Sequence, residues 1–266
     1  MQPLKLSLTI EPPTVRQGHT LAVSIQANRP VSLTGFLDGR LLRFAEGGSG
    51  GWTAVGFGPY TEVGPRFLQV AAIDRYKQQA RVSAVIQVQY VPFGVDYLTI
   101  APELQALLDP ELRRQEAERV DKVLSGLTPL PLWQGPFIMP VQNALTSPYG
   151  VGRSYNGQPV SSFHGGVDIE GAVGTPILAA NRGRVVWAEK TEVRGNLVIL
   201  DHGLGVYTVY AHLSEFGVKT GQTVKQGEII GKVGSTGLVT GPHLHWEVIV
   251  GGVPVNPLEW TQRTIP

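Results

Sequence analysis

The chain has 266 residues, which is enough for one large domain or two ordinary ones, and its 22 basic and 21 acidic residues give a net charge of +1. This near balance gives no support to a nucleic acid or an anionic membrane surface as the main partner. Because the chain has no cysteine, disulfides and thiolate metal sites are excluded, and any bound metal must take histidine, aspartate or glutamate ligands.

Residues 1–90 contain short runs of alternating apolar and polar side chains separated by turn residues, a pattern typical of half-buried strands. Asp38-Gly39 lies between two such runs and predicts a hairpin turn. We therefore predict an accessory immunoglobulin-like β-sandwich, with the glycine-rich residues 46–52 as a mobile loop. The predicted strands are LKLSLTI, TLAVSIQA, SLTGFLDGRLLRF, RFLQVAAID and RVSAVIQVQY.

Residues 91–130 differ from the rest because helix-forming side chains are dense there. Asp109 suits the N-cap of a helix with Pro110 at its first position, and Gly126 suits its end. We interpret this segment as a short helical connector. The proline-rich run TPLPLWQGPFIMPV predicts the entry to a second domain, which we place at residues 131–266.

Strand patterns return in residues 131–266, and five of the six histidines of the chain lie in this half. A shared histidine site is therefore expected here. The predicted strands are GRVVWAEK, NLVILDHG, GVYTVYAHL, EIIGKVG and HLHWEVIV.

Two short motifs in this half place histidine and aspartate together. In FHGGVDIEG, His164 and Asp168 are four residues apart, and the intervening glycines let the backbone bend to bring the two side chains to one point. In TGPHLHWEVIV, His243 and His245 lie on the same face of a predicted strand. Each motif alone is weak, because a single histidine is more often a hydrogen-bonded core residue. Together they offer two histidines and one aspartate to Zn²⁺ and leave a fourth position for water, the arrangement of a catalytic zinc site.

Residues 131–260 resemble the lysostaphin-type family of zinc metallopeptidases, the M23 or LytM domain that cuts peptide bonds in bacterial peptidoglycan. The resemblance implies an antiparallel β LytM-type domain in which His164, Asp168 and His245 bind Zn²⁺. It also implies that His243 and His212 are the catalytic pair that activates water and stabilises the developing oxyanion. The matching segments, in the family's order, are SPYGVGR, HGGVDIEG, GTPILAANRGRVV, GNLVILDHG, YTVYAHL, VKTGQTVKQGEIIGKVGSTG and GPHLHWEV.

The expected fold class is therefore mainly β: an immunoglobulin-like sandwich (residues 1–90), a helical connector (91–130) and a peptidase domain (131–266). The expected function is zinc-dependent hydrolysis of peptide bonds in peptidoglycan crosslinks or bridges. His202 is interpreted as structural, whereas Arg153 is open between lining a substrate groove and forming an ordinary surface salt bridge.

Two other functions compete with this interpretation. One is a non-catalytic or autoinhibited peptidoglycan-binding regulator, in which the front half masks the site. The other is a biotinyl or lipoyl carrier domain. The segment VKTGQTVKQGEIIGKVGSTG also resembles the hairpin pattern of such carriers. Such carriers need a lysine flanked by methionines at a tight turn, and the only methionines, Met1 and Met139, are elsewhere.

The compartment and partners are expected from the resemblance. No apolar run reaches the length of a transmembrane helix, and the start MQPLKLSLTI lacks the pattern of a signal peptide. Because peptidoglycan is the implied substrate, we expect an extracytoplasmic location, with a signal or anchor absent from this sequence. Peptidoglycan stem peptides are the expected partners, and the N-terminal domain is expected to contact the cell wall or an envelope protein.

Overall fold

The structure, a computed structural model, describes residues 2–126 and 128–265. Among these residues, no helix is both long and apolar enough to cross a membrane. The first nine strands are β1 (Leu6–Glu11), β2 (Thr14–Arg16), β3 (Thr20–Ala27), β4 (Val31–Leu37), β5 (Arg40–Leu42), β6 (Ala45–Gly47), β7 (Gly50–Gly56), β8 (Gly64–Asp74) and β9 (Gln79–Gln89).

These nine strands form two sheets that enclose one core. One sheet has the order β1-β3-β7-β6 and the other β2-β9-β8-β4-β5. Inward side chains of both sheets, such as Ile25 of β3 and Leu68 of β8, belong to one buried apolar cluster. A two-sheet sandwich therefore occupies the front of the chain, while its immunoglobulin-like character stays a prediction.

The turn predictions for this half have opposite outcomes. Asp38 and Gly39 join β4 to β5 with φ of 46° and 81°, so the predicted hairpin turn is confirmed. The expected mobile loop at 46–52 is wrong, because these residues pair as the β6–β7 hairpin. Glycine is required there for packing: a Cβ on Gly50 would lie 2.2 Å from the carbonyl oxygen of Ile25.

The middle of the chain contains a strand, β10 (Val95–Leu98), a 3₁₀ helix (Pro102–Leu108) and helix α1 (Pro110–Leu124). As predicted, Asp109 caps α1 by accepting a hydrogen bond from the backbone N–H of Leu112 at 2.8 Å.

The back of the chain is built on one large sheet. Its main path runs β11-β14-β21-β18-β17-β16-β19, and β15, β20 and β22 attach to it. The elements are β11 (Leu145–Ser147), β12 (Gly152–Tyr155), β13 (Ser162–Phe163), β14 (Val167–Glu170), β15 (Pro176–Leu178), β16 (Gly183–Lys190), β17 (Asn196–Gly203), β18 (Val206–Phe216), β19 (Thr223–Val224), β20 (Ile229–Val233), β21 (His243–Val250), β22 (Val253–Val255) and α2 (Pro257–Gln262).

Both faces of this sheet are covered, which explains the continuous apolar runs in its central strands. Alternate residues of β17, such as Val198 and Leu200, lie in the main core. Leu197 and Ile199 point to the opposite face, where Val120 of α1 packs on them. The segment predicted as a connector therefore supplies the cover for one face of the sheet. It also supplies β10, which pairs in parallel with β12.

The front and back of the chain are in contact. Trp52 of β7 packs edge-to-face on Trp133, with ring centroids 5.9 Å apart. Thr20 of β3 donates its backbone N–H to Glu259 at 2.9 Å and accepts a hydrogen bond from Trp260. The predicted division at residues 90 and 130 stays a prediction, but the proposed units share buried contacts.

Candidate active site

The site lies where the start of β21 meets β14. These strands are antiparallel neighbours, and Asp168 is directly opposite His245 in their register. His164 precedes β14 and lies outside it, whereas Asp168 lies within it. The backbone bends between them at Gly166, where a Cβ would lie 2.2 Å from the carbonyl oxygen of Trp246.

Three side-chain atoms that could bind a metal ion face one point. His164 Nε2, Asp168 Oδ1 and His245 Nδ1 form a triangle in which each edge is 2.9 Å. Tetrahedral ligands at zinc distances of about 2.0–2.1 Å are separated by about 3.3 Å. A small expansion of the triangle therefore accommodates a zinc ion, and these side chains form the single potential metal-binding group found among the described residues.

Neighbouring hydrogen bonds fix the orientation of both imidazoles. His164 Nδ1 donates to the carbonyl oxygen of Pro148 at 2.8 Å, and His245 Nε2 donates to Glu247 Oε1 at 2.7 Å. Each ring therefore carries its ordinary proton on the side away from the triangle, and its other nitrogen is left to bind a cation. Because Asp168 Oδ1 is also an acceptor, the centre of the triangle needs a proton or a metal ion.

The pKa values of the site agree with this need for positive charge. Burial raises the pKa of Asp168, but its close contacts with His164 and His245 outweigh burial and hold this pKa well below its usual range. Burial lowers the pKa of His245, yet hydrogen bonds to Asp168 and Glu247 outweigh this and raise it to about 9. The surroundings of the triangle therefore favour positive charge at its centre, which a bound metal ion would supply.

The second oxygen of Asp168 is held by Arg153. The guanidinium lies 3.0 Å from Asp168 Oδ2 and 3.7 Å from Asp96 of β10. Asp96 also accepts a hydrogen bond from Ser147 Oγ at 2.6 Å. Arg153 is thus a partly buried partner of the candidate metal ligand Asp168, and not the ordinary surface salt bridge that was one of its two interpretations. Asp96, which belongs to the segment predicted as a connector, completes this network.

His212 and His243 stand beside the triangle. Their rings are 5.0 Å apart, and His243 Nε2 lies 3.6 Å from Asp168 Oδ1. His212 Nδ1 donates to the carbonyl oxygen of Thr236, and His243 Nδ1 donates to that of Gly241, both at 2.8 Å. Burial lowers the pKa of His212 to about 3 and also lowers that of His243. Both rings are therefore neutral at pH 7, with Nε2 able to accept a proton.

The backbone of His212 adopts the left-handed conformation, with φ of 67°. This conformation costs free energy for a residue other than glycine, so it persists only where surrounding contacts hold it. Such residues are common at functional sites. Here the backbone N–H of His212 donates to the carbonyl oxygen of Arg194 at 3.0 Å. Glu116 of α1 in turn accepts hydrogen bonds from the backbone N–H groups of Val193 and Arg194, at 2.6 and 3.0 Å.

The structure thus brings together all five residues proposed from the sequence, namely His164, Asp168, His212, His243 and His245. His202 lies apart, fully buried and hydrogen-bonded to Arg182 and Thr208, which agrees with its structural interpretation. Sequence reasoning missed Glu247 and Glu116. Glu247 follows His245 by two residues on the same strand face, and this spacing was an available signal.

A cavity of about 670 Å³ opens over the site. The five candidate residues lie in its lining, and α1 with the preceding 3₁₀ helix forms another wall. A peptide segment fits a cavity of this size.

Part of the back half of the chain is similar to known proteins. Residues 162–257 match the model of Peptidase family M23. The chain is 46% identical over 96 residues to peptidoglycan DD-endopeptidase ShyA of Vibrio cholerae, covering 36% of this chain and 22% of ShyA. It is 41% identical over 121 residues to the DD-carboxypeptidase/endopeptidase Mpg of Neisseria meningitidis, covering 44% of this chain and 27% of Mpg. The matches thus span about a quarter of these curated relatives.

One solved structure resembles nearly the whole chain. It is the crystal structure of a Pseudomonas aeruginosa protein assigned to peptidase M23. The two chains are 25% identical with a TM-score of 0.66, and the match covers 96% of this chain and 97% of the other. The arrangement of the front and back halves therefore recurs in another protein.

Proposed function

We propose, from the membership of residues 162–257 in peptidase family M23, that this chain is a zinc-dependent endopeptidase that hydrolyses peptide bonds in peptidoglycan crosslinks. The observation that carries the proposal is the 2.9 Å triangle of three acceptor atoms, oriented by hydrogen bonds on their far sides. Relatives named as peptidoglycan DD-endopeptidases support the substrate class.

His164, Asp168 and His245 would hold the metal. Their donor set, two imidazoles and one carboxylate, suits zinc and leaves a coordination position open to solvent or substrate. Zinc bound there supplies Lewis acidity toward water and toward the carbonyl of the scissile bond. Arg153 and Glu247 keep the carboxylate and one imidazole in the binding orientation through charged hydrogen bonds.

His212 and His243 would move the proton. Since each donates from Nδ1 to a backbone carbonyl, each presents an unprotonated Nε2. The histidine that removes a proton from the attacking water becomes a cation and can then donate that proton to the leaving amine. Its neighbour can stabilise the developing oxyanion only when it is protonated on Nε2, because an unprotonated Nε2 accepts hydrogen bonds and does not donate them.

The non-catalytic alternative gains no support from the site. A regulator without turnover would not need three oriented metal-binding atoms together with the neutral imidazoles of His212 and His243 in an open cavity. We further propose an extracytoplasmic location, because peptidoglycan lies outside the cytoplasmic membrane. A role for residues 1–90 in contacting the cell wall or an envelope protein is part of the same proposal.

Digestion of purified peptidoglycan tests this function. The full chain with added zinc is expected to convert crosslinked peptide dimers into monomers, identified by mass spectrometry. Chelation should stop the conversion, and His245→Ala should not carry it out. Intact dimers after treatment with zinc-loaded protein would refute the proposal, and cleavage in the glycan would assign a different reaction.

A further inference from the structure

The charged side chains that line the cavity over the triangle of His164, Asp168 and His245 do not all have a partner of opposite charge within the described residues. Three carboxylates line it, and each has a partner within the protein: Glu116 has Arg194, Asp168 has Arg153, and Glu247 has His245. Two further arginines, Arg113 and Arg114, also line it. Arg114 is paired with Glu111 and Glu118 on the exposed side of α1.

Arg113 differs from the other lining arginines because it has no carboxylate partner among the described residues. Its guanidinium carbon lies 5.4 Å from the ring centroid of Tyr155, and its Nη2 lies 3.5 Å from Ser162 Oγ. The side chain is half-buried. A guanidinium that is held against an aromatic ring beside a hydroxyl keeps several donors free in a fixed plane, the geometry that binds a carboxylate in two places.

The position of Arg113 on its helix strengthens this argument. Helix α1 begins at Pro110, so Arg113 lies within its first turn. Cations are disfavoured at helix N-termini because the peptide dipoles place partial positive charge there. Arg114 at the same end is compensated by two glutamates, whereas no described side chain compensates Arg113. Helix stability therefore gives no reason for this cation.

We propose that Arg113 and Ser162 form a subsite for a carboxylate of the peptide substrate, so that the chain prefers stem peptides with a free carboxylate over those in which it is amidated. This inference rests on the proposed function, since it assumes that a peptide occupies the cavity. Peptidoglycan stem peptides contain acidic residues whose carboxyl groups occur free or as carboxamides. A carboxamide is neutral and its N–H groups face the donors of Arg113, so the strongest contact is lost.

The test uses the full, zinc-loaded chain and crosslinked stem-peptide dimers in which one carboxylate at a time is converted to a carboxamide. For one member of this panel, kcat/KM of the wild type is expected to fall by about 10- to 100-fold, mainly through a higher KM. Arg113→Gln should reduce this preference to less than about 2-fold, and Arg113→Lys should keep part of it. Arg114→Gln is the matched control and should keep the wild-type preference.

The outcomes separate this inference from the proposed function. Equal cleavage of every dimer by the wild type, or an unchanged preference in Arg113→Gln, would overturn the subsite and leave the peptidase function standing. A purely structural role for Arg113 would slow all dimers alike and leave their ratio unchanged, which also counts against the subsite. If no dimer is cleaved, the proposed function fails. Calorimetric binding of the same peptides to the wild type and to Arg113→Gln then decides the subsite by itself, because the subsite requires tighter binding of the free carboxylate in the wild type only.

Discussion

Glu247 offers a sharp test of how the metal triangle is held. It is buried, and its Oε1 accepts a hydrogen bond from His245 Nε2 at 2.7 Å. Burial raises the pKa of Glu247, but the hydrogen bond and the charge of His245 bring it down to about 2. The carboxylate is therefore ionised at neutral pH and makes the attached imidazole a stronger metal ligand.

Two substitutions separate the charge from the hydrogen bond. Glu247→Gln keeps an acceptor without the charge, and charged hydrogen bonds are about twice as strong as neutral ones. With a charged bond worth about 1.5–3 kcal/mol, Glu247→Gln should lose about half of this, which corresponds to about 4- to 12-fold in zinc affinity. Glu247→Ala also leaves the N–H of His245 without an acceptor, and we expect a loss of about 10- to 100-fold.

Competition with a chromophoric chelator measures these affinities directly. Glu215→Gln is the control, because Glu215 is exposed and forms its ion pair with Lys232 at the surface. Its zinc affinity should equal that of the wild type. If Glu247→Ala also bound zinc as tightly as the wild type, the account of the hydrogen bond that orients His245 would be wrong.

Three further outcomes are expected. His212→Ala and His243→Ala should retain one zinc per chain while kcat falls by about 10²- to 10⁴-fold, and zinc loss in either variant would contradict their assignment as proton carriers. Val120→Ala should lower the free energy of unfolding by about 1–2 kcal/mol in urea titrations, because Val120 covers Leu197 and Ile199, whereas the exposed Lys122→Ala should have little effect. Burial lowers the pKa of His202 to about 4, so the unfolded chain takes up a proton below about pH 6.5 and the folded chain does not. The wild type should therefore lose up to about 3 kcal/mol of stability between pH 6.5 and pH 4 through this residue, and an equally steep loss in His202→Gln would contradict that origin.

Much of the site was accessible from the sequence because its chemistry lies in short local patterns. His243 and His245 share a face because side chains alternate along a strand, and β21 does begin at His243. The bend between His164 and Asp168 was signalled by the two glycines. The assignment of His212 came from family resemblance, since nothing in the YAHL segment alone predicts a left-handed histidine beside the other four.

The features that were missed depend on contacts between distant segments. The segment at residues 91–130 was interpreted only as a connector, but Glu116 is buried and accepts hydrogen bonds from the loop that supports His212, and Asp96 reaches Arg153. The alternation of residues along the chain does not reveal which partner a charged side chain will meet. Residues 46–52 form a hairpin and not the expected mobile loop. The prediction was wrong because a high glycine content is typical both of flexible turns and of closely packed strands.

The central claim is that one zinc ion, bound by His164, Asp168 and His245, makes the chain an endopeptidase. The most direct test adds zinc stepwise to metal-depleted protein while cleavage of a crosslinked stem-peptide dimer is followed. No cleavage is expected at the start, and activity should rise in proportion to added zinc and reach its plateau at one equivalent per chain. Full activity in the metal-depleted protein would contradict the claim.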